Sequence, residues 1–275
     1  MIVKDVLLAG ETDPKVGLRT YVRENSPEID LNRRRPAVVI CPGGGYGMVS
    51  DREAEAVALE MVAKGYQAFV LTYSVAPAVF PKALVQLAKA VAHVRQQAVE
   101  YAVDPEKIVV AGFSAGGHLA ASLGVFWQAD FLQQKLEASS SLWQPNALLL
   151  AYPVISAKEF GHQDSFKNLL QERYEERLAY SLEDQVTSSV PPTFIWHTME
   201  DGLVLVKNSF VFVEALQEHG VPVEFHAFMK GGHGLSLGTW ETQSNGVYGI
   251  EKNIQSWPQL FATWLECLFT KEEEK

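Results

Sequence analysis

The apolar positions fall into short continuous runs that alternate with stretches of helical period. Pro36 to Cys41 (PAVVIC), Gln67 to Tyr73 (QAFVLTY), Lys107 to Ala111 (KIVVA), Asn146 to Pro153 (NALLLAYP), Thr193 to Thr198 (TFIWHT) and Val223 to Phe228 (VEFHAF) read as strands. Near-continuous apolar runs mark strands covered on both faces, as in a parallel sheet. Between them, Asp51 to Lys64 repeats apolar residues at Ala54, Val57, Ala58, Met61 and Val62 and ends at Gly65. Pro81 to Tyr101 is a longer amphipathic stretch with proline at its start, where its missing N–H is tolerated. Asn208 to His219 and Trp257 to Phe269 complete the helices, and Val3 to Leu8 with Leu18 to Arg23 predicts an opening antiparallel pair. The alternation predicts an α/β fold, a mostly parallel sheet with helices on both faces. One domain of residues 1–275 is expected.

The alternation breaks at residues 155–192. This stretch is rich in aromatic and charged residues, predicts a helix over Phe166 to Leu178, and ends at Pro191-Pro192. It reads as an insertion over the strand ends, a small cap or lid, with Phe160, Phe166 and Tyr174 as candidate substrate contacts.

The chain carries a net charge of −10, which argues against phosphate-backbone binding. Its one basic cluster, Arg33-Arg34-Arg35, is too small for a nucleic-acid patch and reads as a solvated loop. No apolar run approaches the ~20 residues of a membrane span, and the N-terminus lacks the pattern of a secretory signal. Neither nucleic acid nor membrane is an expected partner; a homodimer is left open. Cys41 and Cys267 both read as core thiols, not a disulfide pair, so the expected location is cytoplasmic. No Cys/His cluster has metal-ligand spacing, so neither metal nor cofactor is expected.

Chemistry enters at Gly112-Phe113-Ser114-Ala115-Gly116. A strand precedes it and the helical run Gly117 to Leu123 follows. A serine on a strand-turn-helix corner with small neighbours has the geometry of a nucleophile elbow. A serine hydroxyl needs a base to take its proton and a carboxylate to orient that base. Of the seven histidines, His93 and His219 fall on helices, His118 in the elbow helix, His197 and His226 within strands, and His162 in the insertion, where it could reach substrate. Only His233, in Lys230-Gly231-Gly232-His233-Gly234, lies in a loop after a strand, and it is the candidate base. Asp201, in the turn after Thr198, is the candidate acid; Glu200 beside it is the main rival, ahead of Asp164 and Asp184. Cys41-Pro42-Gly43-Gly44-Gly45-Tyr46-Gly47 offers backbone N–H groups unobstructed by side chains. With the Ala115 N–H it is a candidate oxyanion hole; Tyr46 is a further candidate substrate contact. Read otherwise, the glycines are a flexible turn or a phosphate cradle, but neither phosphate-loop pattern matches.

Together these segments resemble the α/β-hydrolase serine esterases, and within them the hormone-sensitive-lipase-like esterases and carbohydrate acetyl-esterases. The resemblance rests on Val39 to Tyr46, Val110 to Ala120, Pro191 to Thr198 with Asp201, and Lys230 to Gly234. The chain departs in having Pro42 where many members have histidine, and Leu203-Val204-Leu205-Val206 where acetyl-esterase relatives often carry a Val-Pro pair after the Asp. The resemblance implies Gly44 and Gly45 as oxyanion donors, a Ser114–His233–Asp201 triad, and hydrolysis of short acyl esters, acetylated sugars or xylo-oligosaccharides above all. A peptidase or amidase using the same triad and a non-catalytic ligand-binding relative are the alternatives.

Overall fold

Among the described residues the chain forms one eight-stranded sheet in the order β1-β2-β4-β3-β5-β6-β7-β8. The strands are β1 (Ile2–Leu7), β2 (Gly17–Val22), β3 (Arg35–Cys41), β4 (Gln67–Thr72), β5 (Val103–Phe113), β6 (Ala147–Ala151), β7 (Thr193–Thr198) and β8 (Val223–Phe228). β1–β2 and β2–β4 pair antiparallel, and every other pairing is parallel. In this computed structural model residues 1–273 are described; Glu274 and Lys275, the end of the charged tail, lie outside the described residues.

Helices cover both faces, which is why the central strands are apolar throughout. On one face α1 (Glu55–Ala63) and α7 (Trp257–Glu273) pack Val57, Met61, Trp257, Phe261 and Leu265 against the sheet. On the other lie α2 (Lys82–Gln96), α3 (Ala115–Phe126), α4 (Asp130–Leu136), α5 (Gln163–Leu170) and α6 (Lys207–Glu218), whose Leu87, Val91, Leu119, Leu123, Leu132 and Phe212 are buried together. The register brings the strand ends level: Cys41 stands beside Gly112, Phe113 beside Ala151, and Thr198 beside Phe228. The loops leaving β3, β5, β7 and β8 therefore converge at one edge, where open parallel sheets bind their ligands.

Several expectations shift. The helix ends at Gln96 and the chain continues in turns, with Ala98 and Tyr101 still in the core. The helix expected over Phe166 to Leu178 is instead α5 followed by a 3-10 segment, Gln171–Tyr180, with the break at Gln171, whose φ is +51°. The short helix α4 carried no signal of its own. Arg35 is not in a solvated loop: it opens β3, is buried, and donates to the Asn25 side-chain oxygen at 2.6 Å. Cys267 is exposed, whereas Cys41 is buried, and both are free thiols. Among the described residues no helix is long and apolar enough to cross a membrane.

Candidate active site

Ser114 sits between β5 and α3 with φ +54° and ψ −119°, a conformation that L-residues rarely adopt. Such strain persists only where the surroundings over-determine it, and costs of order 1–3 kcal/mol. Here they do. The Ser114 N–H donates to the Ala151 carbonyl at 3.0 Å, and the Ser114 carbonyl accepts from Val154 and His118 at 3.0 and 3.2 Å. A side chain at Gly116 would collide with the carbonyl oxygens of Cys41 and Pro42, so the elbow can press against β3 only with glycine there.

The turn after β7 brings Asp201 in, and the loop after β8 brings His233. Ser114 Oγ lies 2.7 Å from His233 Nε2, and His233 Nδ1 lies 2.7 Å from Asp201 Oδ2. Asp201 Oδ1 accepts from the Leu203 and Val204 N–H groups at 3.0 and 2.9 Å, so the second oxygen is free to face His233. Burial pushes the Asp201 carboxyl up, but hydrogen bonds from His197 and His233 outweigh it and hold the group well below the usual carboxylate range. An ionised Asp201 only accepts, so His233 Nδ1 carries the proton and Nε2 is left to receive the serine O–H. Glu200 is exposed, and its carboxyl accepts from the Gly231 N–H at 3.3 Å.

The glycine loop after β3 aims its donors by pinning its acceptors. Gly43 C=O accepts from Ser50 N–H at 3.0 Å, and Gly44 C=O from Gly47 and Met48 N–H at 3.0 and 3.1 Å. In a trans peptide the N–H points opposite to its C=O, so the Gly44 and Gly45 N–H groups are turned away from these bonds. Gly44 holds φ +124°, and a side chain there would strike the Met48 carbonyl. Among the described residues no protein acceptor meets the N–H of Gly44, Gly45 or Ala115. The loop also touches the insertion: Asn168 of α5 donates to Gly45 C=O at 2.9 Å.

The four candidate substrate contacts fall in two places. Tyr46 is buried, with its hydroxyl 2.9 Å from His118 Nδ1. Phe166 is buried edge-on against the His118 ring. Phe160 and Tyr174 line a cavity of about 810 Å³ with Gln163, Arg177 and Lys207, and no triad residue borders it. Phe166 is buried because α5 is amphipathic and turns Phe166, Leu169 and Leu170 into the core. His162, just before α5, is half-buried with Nδ1 2.8 Å from Ser165 Oγ; burial, then the nearby His233, lowers its pKa.

Three partners of the site went unassigned in the sequence. His197 Nε2 contacts Val204 C=O at 2.8 Å and Asp201 Oδ2 at 3.2 Å, which fixes the proton on Nε2; Nδ1 then accepts from Ser209 Oγ at 2.8 Å. Its position four residues before Asp201 was the available signal. Glu53 and Tyr152 lie beneath the glycine loop, and nothing in their local sequence marks them. Among the described residues no group of three or more His, Cys, Asp or Glu could hold a metal ion.

A nucleophile elbow on the central strand, with carboxylate and imidazole on the loops after β7 and β8, defines an α/β-hydrolase. The BD-FAE family model matches residues 27–216, and the chain belongs to that family. Among solved structures it is similar to an acetyl ester-xyloside bifunctional hydrolase from Caldicellulosiruptor lactoaceticus: 35% identity over 92% of this chain and 88% of that one, TM-score 0.76. It is also similar to the carboxylesterase Cest-2923 from Lactobacillus plantarum: 29% identity over 97% of each chain, TM-score 0.85. Endo-1,4-beta-xylanase B of Butyrivibrio fibrisolvens is 35% identical over 81% of this chain, which spans only 36% of that protein's length.

Proposed function

We propose that this protein hydrolyses short-chain carboxylic esters, acetyl esters of sugars or xylo-oligosaccharides above all, through a serine acyl-enzyme. The observation that carries the mechanism is the continuous Ser114–His233–Asp201 hydrogen-bond chain, 2.7 Å at each link. Ser114 Oγ attacks the ester carbonyl carbon as His233 Nε2 takes its proton. Asp201, ionised and buried, holds the imidazole tautomer and stabilises the imidazolium. The N–H groups of Gly44, Gly45 and Ala115 receive the oxyanion as the carbonyl becomes tetrahedral. His233 then protonates the leaving alkoxide, and the alcohol departs. Water, deprotonated by His233, attacks the acyl-serine; collapse returns the proton to Ser114 and releases the acid. No step requires a cofactor.

The likeness to the Caldicellulosiruptor acetyl ester-xyloside hydrolase supports the acyl and sugar assignment. Two measurements test the reading. Ser114→Ala is expected to lower kcat on p-nitrophenyl acetate by at least ~10³, because triad members act as a unit; activity within tenfold of the parent in a folded variant refutes it. Across p-nitrophenyl esters, kcat/KM is expected to peak between acetate and butyrate and fall by octanoate. A roomy apolar tunnel would instead add ~0.8 kcal/mol per methylene, so rates rising through decanoate reject the short-acyl assignment.

A further inference from the structure

The mechanism above does not use the buried carboxyl of Glu53. Glu53 lies just after the glycine loop, is 2% exposed, and points both oxygens at the site's supports. Its Oε2 accepts from the Gly43 N–H at 2.7 Å, and its Oε1 accepts from the Tyr152 hydroxyl at 2.7 Å. Gly43 is the residue that lies against Ser114: a Cβ built on it would stand 2.9 Å from Ser114 Cβ and 2.7 Å from Glu53 Oε2. Tyr152, held at φ +37° at the end of β6, accepts through its hydroxyl from the Ser236 N–H at 2.9 Å. Its ring packs edge-on against His233, centroids 5.1 Å apart at 72°. The neighbouring Arg52 reaches the same loop twice, donating to the Gly234 carbonyl at 2.7 Å and accepting from Ser236 Oγ at 2.7 Å.

The structure assigns Glu53 as a positioning residue that locks the oxyanion loop to the histidine loop through Tyr152. The assignment rests on the serine mechanism proposed above. One carboxyl joins two segments about 190 residues apart in the chain: the Gly43 peptide, whose neighbours present the oxyanion donors, and the Tyr152–Ser236 contact, which carries His233. A carboxyl fits because both groups facing it are donors, and a side chain with two acceptor oxygens satisfies both at once. With an amide in its place, one oxygen must face one donor while an NH₂ group meets the other. The Gly43 peptide or the Tyr152 ring then shifts. The shift misplaces donors against the tetrahedral oxyanion, which draws on them more strongly than the neutral ester carbonyl does, so the loss falls on kcat and largely spares KM.

The test uses Glu53→Gln and Tyr152→Phe, each in the full chain, with p-nitrophenyl acetate as substrate and phenylboronic acid as the probe that forms a tetrahedral serine adduct. Folded fraction is measured by circular dichroism and kcat is expressed per folded molecule. The expected result for either variant is a kcat lower by about tenfold or more, short of the 10²–10³ that follows removal of a donor outright. KM should stay within about threefold, and phenylboronic acid should bind weaker by a factor matching the kcat loss. Should Glu53→Gln fail to fold, Tyr152→Phe, which keeps the ring and removes only the hydroxyl, decides the matter by the same criteria. A smaller kcat loss per folded molecule, or a loss carried by KM with boronate affinity unchanged, overturns the assignment. Ser114→Ala run alongside separates the two readings. If it retains activity the serine mechanism itself fails; if it is inactive while the other variants behave as the parent, only the role of Glu53 fails.

Discussion

Lowering the pH should destabilise this protein through His118, which sits in the helix that follows the elbow. The ring is 1% exposed in α3. Its Nδ1 faces the Tyr46 hydroxyl at 2.9 Å and its Nε2 faces the Tyr180 carbonyl at 3.2 Å, so a neutral ring protonated on Nε2 satisfies both. Burial pushes the pKa from the ordinary 6.5 down to about 4, partly opposed by the Tyr180 carbonyl. The sign follows from linkage. Above pH 6.5 the ring is neutral folded and unfolded, and no penalty arises. Between 6.5 and 4 the unfolded chain binds a proton that the folded chain refuses, so stability falls as pH falls. At about 1.4 kcal/mol per unit, the loss is about 1.4 kcal/mol by pH 5.5 and about 3 kcal/mol by pH 4. Against a typical global stability of ~5–15 kcal/mol this is readily measured. The assay is urea unfolding followed by tryptophan fluorescence, for the parent and His118→Gln, at pH 7.5, 6.5, 5.5 and 4.5. The variant starts less stable, yet its disadvantage should shrink by roughly 2–3 kcal/mol between pH 7.5 and 4.5. Other histidines and carboxylates titrate in both proteins and cancel in the difference. Parallel pH profiles for the two proteins would refute the argument.

Two further outcomes follow from the geometry. Asp201→Asn should lower kcat on p-nitrophenyl acetate by about 10³–10⁴ through the wrong imidazole tautomer, while Glu200→Gln, which loses only an exposed contact to Gly231, should stay within about threefold; the reverse ranking in steady-state kinetics would move the acid to Glu200. Gly116→Ala should cost at least ~2 kcal/mol in chemical denaturation, or prevent folding, because the new methyl meets backbone carbonyls of Cys41 and Pro42 that no rotamer change can move.

The order of strands and helices, the elbow, and the loops bearing Asp201 and His233 were legible because each is written locally. A covered strand must be apolar at every position, a helix must repeat near 3.6, and a sharp strand-to-helix turn demands small residues around its serine. What the chain could not show is which residues meet across the sheet. Phe166 and Tyr46 have the composition of a substrate wall, yet both close around His118, Phe166 from the apolar face of α5 and Tyr46 from the glycine loop. Glu200 and Asp201 are equivalent as neighbours in a turn, and only the register of β7 against β8 turns one carboxylate inward and leaves the other in solvent. His197 reads as a strand residue and becomes a partner of Asp201 only once the turn folds back on it. Glu53 is one more acid in an acidic chain until β3, β6 and the histidine loop converge on it. Apart from His197 with Asp201, these contacts join residues tens of positions apart, up to the 99 between Glu53 and Tyr152, and burial, which gives each hydrogen bond its strength, exists only after the layers have packed.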